Sequence, residues 1–368
     1  MKMLKESYTD TTDIIHQWLS AGILDNPSQL KKEMSKLRKF SGLVAKDVIQ
    51  FFLSECDDPL CDILSDSILN CGSLYKNSSL EKIEIPEGVK VTGKETFSGC
   101  TRLKSVTLPS TLESIGDSAF AGCSGLKSVT LPSRLKRIGD NAFKGCTSLE
   151  TIVIPEGVTH IGQHAFSECT ALTRATLPAS LKTIKPGTFS DCTSLAEIEI
   201  PEGIETIDTW AFRDCTNLTR VVFPNTLKII RLDAFCRCVS LTELDLPDSV
   251  EAIGDAAFWG CKGVTHLKLP KNLTRLGSGA FKGLGISELE IPSSVKTITS
   301  EAFRDCLNLE RVIIPEGVTS ICVEAFARCL SLNEISLPST IKTVSQRAFT
   351  GSPCKDNLKI PKGCKKPL

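Results

Sequence analysis

The sequence predicts an α/β solenoid of short parallel strands and helical or 3₁₀ turns, with a small all-α domain in front of it. Phenylalanine recurs every 23 residues from Phe97 to Phe281, then at Phe303 after 22, and at Phe326 and Phe349 after 23. An apolar frame recurs with it, whereas the first 73 residues lie outside the period. A fixed period of this length is typical of solenoid proteins.

Composition excludes several classes of partner. The 43 Lys and Arg residues balance the 43 Asp and Glu residues, so no net basic field would attract nucleic acid. No apolar run approaches the ~18 residues of a transmembrane helix, and the polar start MKMLKESYTDTTD lacks the apolar region of a signal peptide. We expect a protein partner and a cytoplasmic location, with the cell surface or secretion by a non-classical route as the alternative.

Residues 1–73 predict a helical N-terminal capping domain. Segments such as TTDIIHQWLSAGI and GLVAKDVIQFFLSE show helical apolar spacing, and Pro27 and Pro59 suit first helical turns. A solenoid needs its open edge covered, which makes capping the default role and an independent interaction module the alternative. Residues 74–368 would form the solenoid, with the truncated coil near 350–368 as its C-terminal cap.

In each of the twelve Phe-anchored units, the pattern predicts a strand and then a second pair of apolar residues that points into the core. The frame C-x-x-L-x-x-[IV]-x-[IL]-P-x-x-[VL]-x-x-I-x-x-x-A-F-x-x-C is complete from Cys146 to Cys169. Apolar residues alternate with polar ones before Pro155, as in a half-buried strand, and proline ends the strand. A second apolar pair, Leu112 and Ile115 in another unit, points back into the core.

Helical turns are predicted next in each unit. Asp117, Asp140 and Asp255 lie where an N-cap residue would, just before the Ala-Phe pair. One or two helical or 3₁₀ turns would follow, with phenylalanine wedged beneath them.

The frame resembles the BspA-like leucine-rich repeats, over roughly residues 74 to 368. Leu126, Val129 and Leu131 fit the general L-x-x-L-x-L pattern, while the repeated Cys precedes the strand by three residues, which is typical of this subtype. The resemblance implies two short parallel strands per coil, a curved body and a protein-binding role. Several relatives are surface proteins that attach to host matrix proteins.

Ten of the 17 cysteines share one position of the repeat. These are Cys100, Cys123, Cys146, Cys169, Cys192, Cys215, Cys238, Cys261, Cys306 and Cys329. Parallel stacking keeps neighbouring Cβ atoms ~5 Å apart, beyond the usual disulfide range of ~3.5–4.5 Å. We therefore expect buried thiols that act as small apolar groups, in preference to an extracellular disulfide scaffold.

Three further cysteines allow other chemistry. Cys236 and Cys238 are spaced as a metal pair could be, but Cys236 is expected at a variable exposed position. Cys354 and Cys364 form the pair most open to oxidation, although Cys364 also fits a core slot.

No catalytic constellation is present. His160 and His164 are four residues apart, as in helical metal pairs, yet no third ligand follows at zinc spacing. No G-x-S-x-G motif, Walker loop or dinucleotide fingerprint occurs. The sequence therefore predicts a non-enzymatic protein without catalytic residues, metal or cofactor.

The candidate binding residues occupy the second position after the strand leucine. They are Arg174, Glu197, Arg220, Glu243, His266, Glu288, Arg311 and Glu334, preceded by Ser105, Ser128 and Thr151. Their charges nearly alternate. One interpretation is a ladder of cross-strand charge pairs; the other is a docking surface for a partner, and the two are compatible. Val153, Val222 and Ile313, two residues further on, would add apolar contacts or simply favour strand structure.

Two tryptophans and one short unit break the pattern. Trp210 lies two residues before the repeat Phe and Trp259 one after it, both at usually polar positions, as candidate binding anchors or packing groups. In FKGLGISELEIP, Leu284 replaces Cys and one residue is missing.

The predicted function is protein binding through the exposed strand face of the solenoid. A cell-surface adhesin for host or matrix proteins is one alternative, which the resemblance favours. An intracellular scaffold that uses the N-terminal helical domain is the other.

Overall fold

The computed structural model describes residues 76–85 and 87–364. The chain divides into two compact units, unit 1 (residues 1–170) and unit 2 (residues 171–368). The helical domain predicted over residues 1–73 lies outside the described residues. The described part of each unit is a stack of parallel-strand coils. Twelve short strands, one in each Phe-anchored unit, delimit about 11 turns.

Unit 1 contains three-residue and two-residue strands. The three-residue strands are β1 (Lys82–Glu84), β3 (Ser105–Thr107) and β6 (Thr151–Val153). The two-residue strands are β2 (Val91–Thr92), β4 (Ser114–Ile115), β5 (Arg137–Ile138) and β7 (His160–Ile161). β1 pairs with β3, and the short strands form one parallel sheet in the order β2-β4-β5-β7.

Unit 2 repeats this arrangement. Its long strands are β8 (Arg174–Thr176), β10 (Glu197–Glu199), β12 (Arg220–Val222), β14 (Glu243–Asp245), β16 (His266–Lys268), β18 (Glu288–Glu290), β20 (Arg311–Ile313) and β22 (Glu334–Ser336). Its short strands are β9 (Thr183–Ile184), β11 (Thr206–Ile207), β13 (Ile229–Ile230), β15 (Ala252–Ile253), β17 (Arg275–Leu276), β19 (Thr297–Ile298), β21 (Ser320–Ile321) and β23 (Thr343–Val344).

The two kinds of strand in unit 2 pair differently. The short strands from β9 to β17 form one five-stranded sheet, and β19, β21 and β23 form another. The long strands form smaller groups, β10 with β12, β14 with β16, and β18 with β20 and β22. Two parallel strands per coil confirm what the family resemblance implied.

The core is a set of stacked columns, one for each apolar position of the frame. The middle residue of a long strand points inward, so Ile198 and Leu244 are buried between exposed neighbours. The phenylalanine rings stack nearly parallel, with centroids 5.0 Å apart for Phe212 and Phe235 and 5.6 Å apart for Phe258 and Phe281. Ring stacking of this kind stabilises the fold beyond the contribution of the apolar area that each ring buries.

The predicted helical turns are wrong. Each repeat phenylalanine lies in a tight non-helical turn, hereafter the Phe turn, which from Phe97 to Phe326 contains two residues with left-handed backbone angles. In one coil these are Trp210 and Asp214, both with φ of 58°, and in the next Asp233 and Arg237, with φ of 52° and 62°. A right-handed helix cannot contain such residues.

Hydrogen bonding explains why a turn replaces the helix. Alternate N–H groups of the Phe turn point along the stack: Phe212 donates to the carbonyl of Ala234 at 2.8 Å, and Asp214 to that of Cys236 at 2.9 Å. A helix would use these N–H groups within its own turn. The Phe turns thus bond successive coils much as strands do.

The aspartates predicted as N-caps have a different role. The Asp117 carboxylate accepts the N–H of Asp140, one coil further on, at 3.0 Å, and Asp140 accepts that of Gln163 at 2.9 Å. Asp255 accepts the N–H of Ser278 in the same way at 2.7 Å. Each side chain therefore connects two coils instead of starting a helix.

The C-terminal coil contains the one helix of residues 76–85 and 87–364, the 3₁₀ turn Pro353–Asn357. Cys354 is buried there, and its N–H donates to the carbonyl of Leu332 at 2.8 Å. Over the same residues, no helix is long and apolar enough to span a membrane.

Candidate partner-binding surface

The candidate surface is the outward side of the long strands of unit 2. We define this strand face as the first and third residues of β8, β10, β12, β14, β16, β18, β20 and β22. Because side chains alternate along a strand, these residues point away from the core, and all are exposed. The first positions are the eight charged or histidine residues from Arg174 to Glu334 that the sequence singled out.

Charge alternates along the strand face with a period of two coils. Acidic pairs lie on β10 (Glu197, Glu199), β14 (Glu243, Asp245) and β18 (Glu288, Glu290). A cation stands instead on β12 and β16, which lie between these pairs, and on β20, which follows the last pair. β12 and β20 also carry an apolar residue, and β16 carries His266. The strand register places Glu197 opposite Arg220, Glu243 opposite His266, and Glu288 opposite Arg311.

These opposite charges do not form the ladder of ion pairs that one interpretation expected. Among the described residues of the strand face, only Arg174 and Glu197 come within ion-pair distance, at 3.7 Å. The first-position residues from Arg220 to Glu334 extend into solvent, although Arg311 lies opposite acidic residues on both neighbouring strands. Exposed charges gain little by pairing with each other, so leaving them in solvent costs the fold little.

Two cavities lie on the strand face. The larger, about 750 Å³, surrounds the acidic pair of β18 and reaches Lys268 and Ile313. The second, about 430 Å³, surrounds the acidic pair of β10 and reaches Arg220 and Val222. The side chains of Val222 and Ile313 are exposed, as expected from the sequence, and give each cavity an apolar wall.

The two tryptophans lie in Phe turns and not on the strand face. Trp210 is 38% exposed, and its indole N–H donates to Asp233 at 3.1 Å. Trp259 is 43% exposed, and the Lys282 ammonium lies 5.8 Å from its ring centre. The residues proposed for binding are therefore divided between two regions of each coil.

Charges near the Phe turns are paired, in contrast to those of the strand face. Lys282 contacts Glu301 at 2.7 Å, Arg304 contacts Glu324, and Arg347 also contacts Glu324 at 2.6 Å. The side chain of Glu324 is only 17% exposed. These pairs connect four successive coils and stabilise the stack.

The repeated cysteines are buried thiols with a specific hydrogen bond. Cys238 Sγ donates to the carbonyl of Phe212 in the preceding coil at 3.2 Å, and Cys261 donates to that of Phe235 at 3.1 Å. Ser352 occupies the same position in the last coil, and its Oγ donates to Phe326 at 2.6 Å. This repeat position therefore needs a side chain that donates a hydrogen bond, in addition to the small apolar volume inferred from the sequence.

Burial keeps these thiols protonated. It raises the pKa of Cys306 to about 12 and that of Cys100 to about 11. Cys236 is also fully buried, which corrects the expected exposed position, and burial raises its pKa to about 12. Thiols of this kind are poor nucleophiles and poor metal ligands near pH 7. No group of three His, Cys, Asp or Glu residues in the described part could hold a metal ion.

Sequence reasoning missed a hydrogen-bonded contact between the turns that follow the long strands of neighbouring coils. Glu202 of the P-E-G turn accepts the N–H of Asn225 from the next coil at 2.9 Å, while Thr226 Oγ1 accepts the N–H of Gly203 at 2.9 Å and donates to Ile204. The same exchange recurs at Glu316 and Thr340. The alternation of P-E-G with P-[SN]-T was the available signal.

Comparison with known proteins agrees with this architecture. The model of the BspA-type leucine-rich repeat region matches residues 71–196, 182–310 and 296–366. A solved leucine-rich repeat protein from Bacteroides ovatus is 30% identical with a TM-score of 0.73, and the match covers 80% of this chain and 76% of that one. No curated protein matches.

Two further solved structures align less closely. A leucine-rich cell surface protein from Faecalibacterium prausnitzii is 26% identical with a TM-score of 0.47, over 79% of this chain and 80% of that one. The pneumococcal vaccine antigen PcpA is 21% identical with a TM-score of 0.47, over 78% and 79%. Repeats of this type typically serve as non-enzymatic protein-interaction modules. The family model covers most of the chain, and the chain therefore belongs to the BspA-type leucine-rich repeat family.

Proposed function

We propose that the protein binds a partner protein through the strand face of unit 2 and catalyses no reaction. The observation that carries the proposal is the row of exposed charges on β10 to β22 that make no ion pairs with one another. Charges left in solvent cost little to fold and can meet complementary charges on a partner, where they determine specificity and association rate.

Family membership supports the same proposal, because repeats of this type typically bind proteins. The buried thiols offer no nucleophile, and the strand face is exposed and polar. Trp210 and Trp259 belong to the proposal as a separate region, since exposed tryptophans are common anchors of interfaces.

The test compares matched charge reversals. One variant reverses three strand-face carboxylates: Glu197→Lys, Glu243→Lys and Glu288→Lys. The control reverses three carboxylates of unit 2 that lie off the strand face: Glu205→Lys, Glu251→Lys and Asp356→Lys. Both variants carry the same change of net charge.

Each tagged protein is incubated with extract of the source cells and with its culture medium, and captured proteins are quantified by mass spectrometry. The proposal expects a partner captured by the wild type and the control and lost from the strand-face variant. Equal capture by all three proteins would contradict it.

The location of that partner separates the two biological alternatives. A cell-surface adhesin for host or matrix proteins is the first alternative, and an intracellular scaffold is the second. Protease treatment of intact source cells should digest an adhesin and spare an intracellular scaffold, with lysed cells as the control. The scaffold alternative would use the helical N-terminal domain that is predicted over residues 1–73.

A further inference from the structure

The acidic pairs of the strand face define a spacing. They lie on β10, β14 and β18, which are every second strand of the stack. Neighbouring strands are ~4.8 Å apart, so the acidic pairs repeat about every 10 Å along the stack. A bound chain that runs across the strands would meet negative charge at this interval.

The strands next to the acidic pairs carry cations, which would repel positive charge on a partner. Arg220 on β12 and Lys268 on β16 place cations between the acidic pairs, and Arg311 on β20 places a cation just after the last pair. A uniformly basic partner would meet repulsion at each of these strands. The face therefore selects for a partner whose cations are spaced to match and whose intervening residues are uncharged.

A polyproline II helix has the required repeat. It rises ~3.1 Å per residue with three residues per turn, so every third residue points the same way and repeats about every 9 Å. Side chains of an extended β-strand repeat on one side about every 7 Å, too short for this spacing. An α-helix with cations seven residues apart advances about 10.5 Å, and its mismatch grows with each step.

The cavities suit such a chain. Those around the acidic pairs of β10 and β18 have volumes of about 430 and 750 Å³, and each has an exposed aliphatic wall, Val222 or Ile313. Aliphatic walls beside carboxylates accept proline rings and a lysine or arginine side chain together.

We infer that the strand face of unit 2 binds a polyproline II segment of its partner that carries Lys or Arg at every third residue. This inference rests on the proposed function and names the partner's chemistry. The cations of the segment would meet the carboxylates of β10, β14 and β18 in turn, and its prolines would contact the aliphatic walls.

The first experiment varies the spacing of charge at constant composition. One fluorescent peptide has five Lys-Pro-Pro triplets. A second has the same residues with lysine at alternate positions and the remaining prolines at one end, and a third is a helical peptide with lysine at every seventh residue. Binding to the full-length chain is measured by fluorescence anisotropy at low ionic strength.

The triplet peptide should bind about tenfold more tightly than either other peptide, because only it places each cation on an acidic pair. Equal binding of the two proline peptides would overturn the inference, since charge alone would then explain it. Tighter binding of the helical peptide would overturn it as well.

The second experiment locates the binding site. One variant neutralises an acidic residue on each acidic strand: Glu197→Gln, Glu243→Gln and Glu288→Gln. The control neutralises three acidic residues off the strand face: Glu205→Gln, Glu251→Gln and Asp356→Asn. The first should lose about tenfold in affinity for the triplet peptide and the control less than about twofold. Equal losses in both variants would overturn the inference.

These results are separable from the proposed function. If neither proline peptide binds while the reversal of strand-face carboxylates still abolishes capture of a partner, the partner class is wrong and the binding face is right. If the triplet peptide binds and the reversal leaves capture unchanged, the natural partner uses another surface.

Discussion

The strand side and the Phe-turn side of unit 2 use the same coils for different purposes. On the Phe-turn side, rings stack, thiols donate to carbonyls of the preceding coil, and charges pair from one coil to the next. On the strand side, the long strands form small groups and the charges remain in solvent. The stacked rings, the thiol hydrogen bonds and the ion pairs between coils are thus concentrated on one side, while most charges of the other side extend into solvent.

The largest effect should come from the ring column. Phe212→Ala removes a fully buried ring between Phe189 and Phe235 and should lower the free energy of unfolding by about 3–5 kcal/mol. Arg220→Ala, in the adjacent strand, is the control and should change it by less than about 0.5 kcal/mol. Denaturant unfolding measures both, and equal losses would contradict the division between the two sides.

The thiol column should matter less. Cys238→Ala removes packing volume and the donor to Phe212 and should cost on the order of 1 kcal/mol. Cys238→Ser keeps a donor, as Ser352 does at the same position, and should cost less. If the serine variant is no more stable than the alanine variant in urea unfolding, the hydrogen bond has no role.

Replacing Trp210 by asparagine should not reduce the stability of the protein and could increase it. Its φ of 58° is a backbone conformation that Asn141 adopts at the same position of another coil. Trp210→Asn should therefore leave stability unchanged or raise it by up to about 1 kcal/mol. Trp259, for which Lys282 provides a cation–π contact, serves as the control, and Trp259→Asn should not be stabilising. A strong loss for Trp210→Asn in thermal unfolding would assign Trp210 a packing role.

Glu316 should make a pH-dependent contribution to the stability of the protein. Backbone and side-chain hydrogen bonds from Ser339 hold the pKa of Glu316 below its ordinary value of 4.5. A lowered pKa in the folded state stabilises the protein above that ordinary value, and the contribution disappears as pH falls through the folded-state pKa. Glu316→Gln should therefore weaken the acid dependence of the unfolding midpoint. Equal acid dependence in wild type and Glu316→Gln would refute this contact.

The smallest effect is predicted for the strand face. Arg220→Glu places a carboxylate opposite Glu197 and should cost less than about 1 kcal/mol, because both side chains are exposed. A loss of several kcal/mol in urea unfolding would show that Arg220 is packed, and the exposed strand face would be wrong.

The sequence predicted the buried columns because each position repeats with the same chemistry, from the leucines to the phenylalanines. It did not predict the Phe turns correctly. Asp, Asn and Ser suit both N-caps and left-handed turns, and only the hydrogen bonds between coils favour the turn.

Positions that depend on neighbouring coils were also missed. Cys236 is buried because it lies in a column between the larger Arg213 and Trp259, so its burial follows from residues 23 positions away on either side. The segment at 126–131 repeats the sequence of 103–108, yet only the first copy contains a paired strand, β3. The cavities at β10 and β18 likewise depend on three adjacent strands at once.

Site-specific photo-cross-linking tests the binding face most directly. A photoreactive amino acid replaces Arg220 on the strand face in one protein and Leu232, an exposed Phe-turn residue, in another. Both proteins are irradiated with source-cell extract and culture medium. We expect a specific cross-linked partner from position 220 and none from position 232. The same partner cross-linked from position 232 alone would show that the protein binds through its Phe turns and would contradict the account.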